Sequence, residues 1–573
     1  MSHRNIPVSN SCKTALSIVL VLACGGLAFA ADPPAVRSPR GMVVSPERHA
    51  SRIGAAILDE GGTAADAAVA VAFALAVTNP QAGNLGGGGF LLYRDTGGRH
   101  SALDFRETAP AALAAELFLD DAGNPIPGLS LETGLAVGVP GSVAGLNELH
   151  RRWGVLPWKR LVKPAIVLAR DGFAIYPDLE RAFKSAEKRL RLNEESRRVF
   201  LPMGRLPRTG NVLRQPDLAA SLKRIATRGP KGFYEGPIAD AVVRTVRARG
   251  GVMKLQDLGD YETVDREPVR GRFRGYEIVS YPPPSSGGVI LLQMLAMLER
   301  FEVEGGYGGS RSVHLLAEIQ RRAFADRSRW LGDPQHFDVP TEELLASDYV
   351  ATRAATIDLD RAAKSSEILP GNPPPDRHDT LHFSVTDQAG RAVSLTTTLN
   401  TNFGSGIVAE GTGILLNNEM DDFSLAPGVP NTYGLVGGEA NAVGPRKRPL
   451  SSMTPTIVEY PDKRARPFLV LGSPGGGRII NAVFQVLVNV IDHNMPLQAA
   501  VNAPRIHHQW LPDRLDYEPR ALPADVRLAL ERLGHTLATR EAVGNVNAIG
   551  SAENGEWLGA ADPRRGGTAV GQR

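Results

Sequence analysis

Two threonines in the second half of the chain have the types and spacing of a self-activating nucleophile. Thr380 begins a segment in which polar and apolar residues alternate, and Thr398 lies on the polar face of the next such segment. Cleavage before Thr380 would place a hydroxyl and a new α-amine on one residue. Such an amine has a pKa of about 8, against about 10.4 for lysine, so it can accept the hydroxyl proton near neutral pH. The pattern predicts either an N-terminal threonine nucleophile beside a second hydroxyl or an ordinary threonine-rich surface hairpin.

A predicted β-hairpin positions these two threonines. Residues 380–386 and 391–400 alternate with the period of a half-buried strand, and Asp387–Gly390 has the composition of a turn. Counting back from that turn places Thr380 opposite Thr398 or its neighbour. Matching the polar faces of the two strands selects Thr398, which requires a one-residue bulge in the hairpin.

The chain just before Thr380 is rich in proline. Residues 369–379 contain too many prolines for a helix or a central strand, so they predict an exposed loop. An exposed loop that ends at a nucleophile is a suitable place for a precursor to cut itself. The predicted cleavage site is therefore the bond between Asp379 and Thr380.

Motifs on both sides of the hairpin favour an N-terminal threonine nucleophile over an ordinary threonine-rich surface hairpin. They are Gly83–Phe90 and Asp104–Arg106 before it, and Asn402–Gly404, Gly413–Phe423, Arg448–Met453 and Gly472–Gly476 after it. In this order they resemble the γ-glutamyltransferase (γ-glutamyltranspeptidase) family of N-terminal-nucleophile hydrolases, from about residue 41 to residue 569. The resemblance implies an α+β fold, a four-layer αββα sandwich formed by two interlocked subunits from one precursor.

The resemblance implies how the precursor matures. The Thr380 hydroxyl is expected to attack the carbonyl of Asp379, and hydrolysis of the resulting ester would release a new N-terminus at Thr380. The products would be a large subunit, residues 31–379, and a small catalytic subunit, residues 380–573, which remain together as a heterodimer.

The resemblance also implies the roles of the catalytic groups. During turnover Thr380 would carry the acyl group, and Thr398 would orient its hydroxyl. Gly475 and Gly476 would form the oxyanion hole, because glycine lets backbone N–H groups approach the developing charge closely. This chemistry needs no cofactor.

A γ-glutamyl group ends in a zwitterion, so its site must hold both charges. Arg106 has a planar guanidinium that suits the α-carboxylate, and hydroxyl groups can add further donors. Any one of these residues alone would more often be a surface ion pair, whereas their joint presence favours a binding site. The ligands that the resemblance implies are Arg106, Ser451 and Ser452 for the α-carboxylate, and Asn400, Glu419 and Asp422 for the α-ammonium.

The segment 430–441 bears on the choice of substrate. It contains Tyr433 and several glycines, which suits an aromatic lid on a mobile loop. Acylases of this family commonly lack that loop, which disfavours the alternative of a cephalosporin or glutaryl acylase. We therefore expect transfer of the γ-glutamyl group of glutathione and other γ-glutamyl compounds to water or to amino-acid or dipeptide acceptors. From another class, a periplasmic γ-glutamyl binding protein that never matures is the alternative.

Residues 1–30 have the features of a secretion signal and are excluded from the fold. Basic residues precede an apolar run, and Ala28–Ala30 offers small residues for cleavage before Ala31. Both cysteines, Cys12 and Cys24, lie in this leader, so the mature protein is expected to contain no disulfide and no thiolate metal site. A periplasmic or secreted protein is expected, with a lipid anchor at Cys24 as the alternative.

Composition and spacing exclude several other functions. The 573 residues include 64 Lys and Arg against 61 Asp and Glu, which gives no electrostatic case for nucleic acid or a membrane surface. Thr63–Val77 is short and carries Asp66, so it predicts a buried helix and not a membrane span. Gly83–Gly89 lacks the ending of a phosphate loop and predicts a tight loop packed against backbone. The adjacent His507 and His508 have no spaced third ligand, so no metal site is expected.

Overall fold

Two seven-stranded antiparallel sheets form the centre of the fold. The structure is a computed structural model that describes Met1, residues 33–368 and residues 380–573 except Pro427, Tyr433 and Lys463. The predicted secretion signal after Met1, the cleavage residue Asp379 and the lid residue Tyr433 therefore lie outside the described residues. By its internal contacts the chain divides into two compact units, Met1–Pro34 and Ala35–Arg573. All the elements described below belong to the second unit.

The strands of the two sheets come from the whole length of this unit. In chain order they are β1 (Val36–Ser38), β2 (Met42–Ser45), β3 (Gly88–Arg94), β4 (His100–Phe105), β5 (Val264–Arg266), β6 (Val269–Phe273), β7 (Tyr276–Ser280), β8 (Thr380–Thr386), β9 (Ala392–Thr398), β10 (Thr456–Glu459), β11 (Leu469–Gly472), β12 (Asn547–Ser551), β13 (Trp557–Ala561) and β14 (Thr568–Gly571). One sheet has the order β14-β2-β8-β9-β3-β4-β5, and the other has the order β1-β13-β12-β11-β10-β7-β6.

Helices cover the outer faces of both sheets. The longer ones are α1 (Arg48–Asp59), α2 (Ala64–Thr78), α3 (Ser142–Trp153), α4 (Trp158–Asp171), α5 (Pro177–Leu192), α6 (Pro216–Arg228), α7 (Pro237–Ala248), α8 (Gly287–Leu298), α9 (Ser310–Trp330), α10 (Ser347–Ala355), α11 (Arg478–Ile491) and α12 (Ala524–Leu533). Helices α1 to α7 share one apolar core with the sheet that contains β8, and α8 to α12 share another with the second sheet. A third core, which includes Phe90, Ile457 and Trp557, lies between the sheets. The layers are thus helix, sheet, sheet, helix, which confirms the predicted αββα sandwich.

Helix α2 shows how the sequence builds an outer layer. Thr63 and Asp66 form a capping box at its start, and every residue from Ala64 to Thr78 is buried. The prediction of a buried helix at this position is therefore confirmed. Among the described residues, no helix is both long and apolar enough to cross a bilayer.

The alternation in β8 lets both faces of the strand pack against the rest of the fold. Leu381, Phe383 and Val385 belong to the core beneath α1 and α2. Ser384 points to the other sheet, where its hydroxyl donates to the backbone carbonyl of Asn547 at 3.1 Å. Both faces of the strand are covered, so the strand that begins at Thr380 is fixed between two layers of the fold.

Candidate active site

The two threonines that the sequence singles out face each other across the hairpin. Strand β8 pairs with β9 in a regular antiparallel register that joins Thr380 to Thr398 and Thr386 to Ala392. The predicted pairing is thus present, and the one-residue bulge that it required lies at the turn: the N–H of Asp387 donates to the carbonyl of Arg391, the N–H of Gly390 donates to the carbonyl of Asp387, and Gly390 has a φ of 82°. The Asp387 carboxylate also accepts hydrogen bonds from the N–H groups of Ala389 and Arg391, which supports this turn.

Hydrogen bonds from two asparagines fix the position of Thr398. The backbone N–H of Asn400 donates to Thr398 Oγ1 at 2.8 Å, and the side-chain amide of Asn84 donates to the Thr398 carbonyl at 2.7 Å. The hydroxyl oxygens of Thr398 and Thr380 are 3.5 Å apart, and both residues are buried. The arrangement places a fixed hydroxyl beside the hydroxyl of Thr380.

The glycine-rich loop Gly83–Gly89 supports the same strand from behind. A Cβ atom at Gly87 would lie 2.1 Å from the carbonyl oxygen of Thr398, and one at Gly86 would lie 2.1 Å from that of Leu415. A side chain at Gly87 would push the loop away from β9, and one at Gly86 would push it away from Leu415. The prediction that this loop packs tightly against backbone is confirmed.

A second glycine pair lies between strand β11 and helix α11. Gly475 and Gly476 have φ values of 130° and 55°, in the left-handed region that favours glycine. Gly476 lines the cavity in front of Thr380, whereas Gly475 is not among the lining residues. The two glycines thus connect the end of strand β11 with the cavity in front of Thr380.

One small cavity collects most of the residues predicted for the site. Four further lining residues, Leu435, Leu450, Met453 and Ile479, are apolar, and one more, Arg327, is charged. The predicted residues that line it are Arg106, Thr380, Thr398, Asn400, Glu419, Asp422, Ser451, Ser452 and Gly476.

The predicted ligands for opposite ends of the substrate contact one another. Arg106 donates to a carboxylate oxygen of Glu419 and, at 2.6 Å, to Asp422 Oδ2. Glu107 lies 3.7 Å from the same guanidinium. One buried cation is therefore surrounded by three carboxyl groups, and a zwitterionic ligand would have to enter this cluster.

Burial governs the protonation of this cluster. It raises the pKa of Glu107 to about 7 and raises the pKa values of Glu419 and Asp422, because a charged carboxylate is poorly solvated there. The Arg106 guanidinium opposes these shifts. Burial alone would lower the pKa of Arg106, but Glu419 and Asp422 outweigh it and raise that pKa. The cluster thus holds protons at mildly acidic pH.

Arg327, near the end of helix α9, is a site residue that the sequence patterns do not reveal. Its Nε donates to Ser286 Oγ at 2.9 Å and its Nη2 donates to Ser452 Oγ at 3.0 Å. Its side chain is buried, although it follows a helical stretch that contains several other arginines. Helical spacing gives no signal that separates Arg327 from its neighbours on α9.

The predicted lid segment, 430–441, contacts the charged cluster. The side-chain amide of Asn431 donates to Asp422 Oδ1 at 3.1 Å, and that of Asn441 donates to the Asp422 carbonyl at 2.6 Å. Leu435 from the same segment lines the cavity. The segment therefore closes one side of the site, while Tyr433 is outside the described residues.

Buried histidines lie away from this cavity. His507 and His508 are buried, and His507 is hydrogen-bonded to Gln509 and Asn481. Within the described residues, one group has the geometry of possible metal ligands, namely His314, Glu318 and His535. The Glu318 carboxylate is already engaged by Arg321 and Arg322, so this group is better explained as a buried ion-pair network.

Comparison with known proteins identifies the family of this fold and site. A family model described as gamma-glutamyltranspeptidase matches residues 50–572. The chain belongs to the γ-glutamyltranspeptidase family. It is an enzyme of this family, and the sequence-based assignments of family, fold and enzyme class are confirmed.

Two curated relatives resemble the chain over almost its full length. A glutathione hydrolase proenzyme of Escherichia coli (strain K12) is 47% identical over 566 residues, which cover 96% of this chain and 97% of the relative. A glutathione hydrolase proenzyme of Pseudomonas sp. (strain A14) is 43% identical and covers 98% of this chain and 99% of the relative. Both relatives thus resemble this chain in sequence over nearly its whole length, and not in fold alone.

Solved structures of the same fold include acylases as well as transpeptidases. The cephalosporin acylase of Bacillus halodurans superposes with a TM-score of 0.85 at 28% identity, over 96% of this chain and 99% of that one. The γ-glutamyltranspeptidase of Helicobacter pylori gives a TM-score of 0.56 at 39% identity, over 60% of this chain and 97% of that one. Fold similarity therefore does not separate the two substrate classes.

Proposed function

We propose that this protein is a self-processing γ-glutamyltransferase with glutathione hydrolase activity. The observation that carries the proposal is the cavity in which the paired hydroxyls of Thr380 and Thr398 meet a cluster of opposite charges around Arg106. A nucleophile alone would suit many acyl groups. The charged cluster restricts the acyl group to one that bears both an ammonium and a carboxylate.

The position of Thr380 at the start of β8 supports the proposed maturation. Its Oγ attacks the carbonyl carbon of Asp379, and the peptide nitrogen leaves as the α-amine of Thr380. Water then hydrolyses the ester, which restores the Thr380 hydroxyl and leaves a carboxylate on Asp379. The resulting large subunit, residues 31–379, and small subunit, residues 380–573, form a heterodimer.

Turnover uses the amine that maturation creates. The α-amine of Thr380 accepts the proton of its own hydroxyl as Oγ attacks the γ-carbonyl carbon of the donor. Backbone N–H groups of Gly475 and Gly476 stabilise the oxyanion, and the protonated amine then gives its proton to the leaving amine. Water or the amine of an acceptor attacks the ester on Thr380 and releases glutamate or a new γ-glutamyl amide.

Substrate binding exchanges one set of ion pairs for another. The α-ammonium takes the place of protons on Glu419 and Asp422, with Asn400 beside them, while the α-carboxylate faces Arg106 and the hydroxyls of Ser451 and Ser452. Charge-assisted hydrogen bonds in a closed site are short and strong. Glutathione and other γ-glutamyl amides carry this zwitterion, and glutaryl groups do not.

The second candidate function is that of a cephalosporin or glutaryl acylase, which the high structural similarity to the Bacillus halodurans acylase favours. The acidic groups around Arg106 disfavour it, because a glutaryl group has no α-amine to occupy them. The segment 430–441, which contacts Asp422, also disfavours it. A non-maturing binding protein would retain the charged cluster and show no turnover.

Paired anilide substrates test the proposal directly. Purified enzyme should hydrolyse γ-glutamyl anilide far faster than glutaryl anilide, and glycylglycine should increase release of aniline if transfer occurs. Arg106→Ala should cost on the order of 30-fold to several-thousand-fold in kcat/KM for the γ-glutamyl substrate, because buried carboxylates lose their partner. The same change should leave the slow glutaryl reaction no worse. Equal rates of the wild type on both anilides would support the acylase function instead.

The proposal includes export of the enzyme. The apolar leader within residues 1–30 supports a periplasmic or secreted location, where γ-glutamyl compounds from outside the cell would be the donors. Amino acids and dipeptides are the proposed acceptors. Determining the N-terminal residues of both subunits from purified native enzyme tests the leader cleavage before Ala31 and the maturation before Thr380 together.

A further inference from the structure

Asp421 is a buried carboxyl group that lies beside the site but does not line its cavity. It belongs to the turn Glu419–Asp422. Burial raises the pKa of Asp421 to about 7, because a carboxylate is poorly solvated there, whereas hydrogen bonds from Ser130 and Thr432 lower that pKa. A buried polar group away from the substrate is retained for the hydrogen bonds that it makes. The partners of Asp421 therefore indicate its role.

The two oxygens of Asp421 connect the segment 430–441 to a distant part of the chain. Oδ2 accepts a hydrogen bond from the backbone N–H of Thr432 at 2.9 Å. Oδ1 accepts one from the hydroxyl of Ser130 at 2.6 Å. Ser130 is buried in the short helix Leu129–Glu132, which belongs to the proposed large subunit. Asp421 thus joins the start of the segment to a fixed point in the other proposed subunit.

The bond to Thr432 also holds one apolar wall of the cavity. The backbone N–H of Asn431 donates to the carbonyl of Leu435 at 3.2 Å, and the N–H of Leu435 donates to the side-chain oxygen of Asn431 at 3.2 Å. These two bonds close a turn at the start of the segment. Leu435 lines the cavity, so a group that holds Thr432 in place also holds this wall.

Other contacts of the segment involve a proposed substrate ligand or lie at its far end. The side-chain amide of Asn431 donates to Asp422 Oδ1, and Asp422 is a proposed ligand of the α-ammonium. Asn441, at the far end, donates to the Asp422 carbonyl and accepts from the N–H of Leu450. Asp421 holds the start of the segment through a side chain that has no proposed contact with the substrate.

We propose that Asp421 is a positioning residue, a latch that holds the start of the segment 430–441, and with it Leu435, over the active-site cavity. The inference rests on the proposed function and deepens it, because the latch sets the size of the acyl group that the site accepts. Ser130 anchors the latch, so the large subunit helps to hold a segment that belongs to the small subunit.

Thiol labelling measures opening of the segment without any turnover. Residues 31–573 contain no cysteine, so an introduced thiol is the only one in the mature enzyme. In a Leu435→Cys background, Asp421→Ala should speed alkylation by iodoacetamide on the order of tenfold, because losing a hydrogen bond increases the open population. In an Ala440→Cys background, at the far end of the segment, the same change should alter the rate by less than about twofold, because Asn441 still holds that end.

Matched variants separate the latch from a general loss of stability. Asp421→Asn should keep labelling slow, because its amide oxygen can accept from Thr432 and its NH₂ group can donate to Ser130 Oγ. Ser130→Ala should speed labelling at position 435 by a smaller factor and add little to Asp421→Ala, because the two residues act as a unit. Asp121→Ala removes an exposed carboxylate and should leave the rate unchanged.

Selectivity for the acyl group is the second measurement. Asp421→Ala should lower the ratio of kcat/KM for γ-glutamyl anilide to kcat/KM for glutaryl-cephalosporanic acid on the order of tenfold, because the Leu435 wall is no longer fixed. Asp421→Asn should keep this ratio within about threefold of the wild type. Two fragments on a denaturing gel report that each variant folds and matures. If Asp421→Ala fails to mature, Ser130→Ala carries both measurements, with smaller changes in the same directions.

The outcomes for the latch and for the proposed function are distinct. Unchanged labelling at position 435 in Asp421→Ala, or equal acceleration at positions 435 and 440, would overturn the latch. Fast labelling in Asp421→Asn would also overturn it, since hydrogen bonds would then not be what holds the segment. Labelling as expected with an unchanged substrate ratio would overturn the link to acyl-group size. A wild type without turnover of γ-glutamyl anilide would overturn the proposed function, while the labelling rates would still test the latch.

Discussion

At the scale of single residues, a short series of hydrogen bonds determines where the reacting hydroxyl lies. Asn84 holds the carbonyl of Thr398, the N–H of Asn400 holds its hydroxyl, and that hydroxyl lies beside Thr380. Asn400 itself has a φ of 75°, which Asn tolerates better than most residues. Backbone groups therefore position the Thr380 hydroxyl as much as side chains do.

Changing Thr380 should separate maturation from folding. Thr380→Ala should leave a single chain, because alanine has no hydroxyl to attack the Asp379 carbonyl. Thr380→Ser should still be cleaved, since it keeps the hydroxyl. Denaturing gels of protease-free preparations, followed over days, measure both. Cleavage of the alanine variant at the same bond would show that another group does the cutting.

Substrate affinity should depend on pH through the carboxyl cluster. Burial raises the pKa of Glu107 to about 7, so the cluster carries extra protons below that pH and binds an ammonium poorly. Affinity for L-glutamate should therefore strengthen as pH rises to about 7, by at most tenfold per pH unit for one released proton, and then level off. Competitive inhibition constants measure this, and Glu107→Gln should flatten the profile. Inhibition that does not vary between pH 5.5 and 7.5 would contradict it.

At the scale of elements, the hairpin shows what the sequence can and cannot predict. The polar faces of its strands predicted the pairing of Thr380 with Thr398, because alternation sets the register. The bulge at Gly390 and Arg391 followed from the same alternation, whereas the hydrogen bonds that the Asp387 carboxylate accepts in the turn are not encoded by it. Arg327 was missed for a similar reason, since helical spacing does not say which arginine of α9 enters the cavity.

The segment 430–441 should control the size of the acyl group. Deleting residues 430–438 removes the Asn431 contact to Asp422 and the apolar wall at Leu435 but keeps Asn441, which also binds the N–H of Leu450. The shortened enzyme should accept bulkier groups such as glutaryl-cephalosporanic acid and lose selectivity for γ-glutamyl groups. The ratio of kcat/KM values for the two substrates measures the change, and an unaltered ratio would mean that the segment only supports the fold.

At the scale of the whole molecule, the proposed subunits share both sheets, and in the sheet that contains β8 their strands are interleaved. Strands β2, β3, β4 and β5 belong to residues 31–379, whereas β8, β9 and β14 belong to residues 380–573. Strand β2 lies between β14 and β8, so each part completes the hydrogen bonding of the other. The αββα layers were predictable from the family resemblance, but this order was not, because pairing between distant segments leaves no local pattern in the sequence.

Cleaved enzyme should consequently behave as one particle until it unfolds. Size-exclusion chromatography of mature protein in native buffer should give a single peak that contains both subunits. They should separate only at the denaturant concentration at which the sheet signal is lost, since separation breaks the ladders of β2 with β8 and of β9 with β3. Free subunits at lower denaturant would show that the shared sheet is not what holds them together.

The contact between the two ends of the folded unit opens a route around self-cleavage. Strand β14 pairs with β2, and the Ser38 hydroxyl donates to the backbone carbonyl of Gln572 at 3.0 Å, so Arg573 can be joined to Ala35 by a short glycine-serine linker. A circularly permuted gene would then begin at the codon for Thr380 and end at that for Ile368. Removal of the initiator methionine would then leave Thr380 as the amino-terminal residue of the newly synthesised chain. Such a permutant should hydrolyse γ-glutamyl anilide without any precursor step, and a folded but inactive permutant would show that cleavage does more than expose an amine.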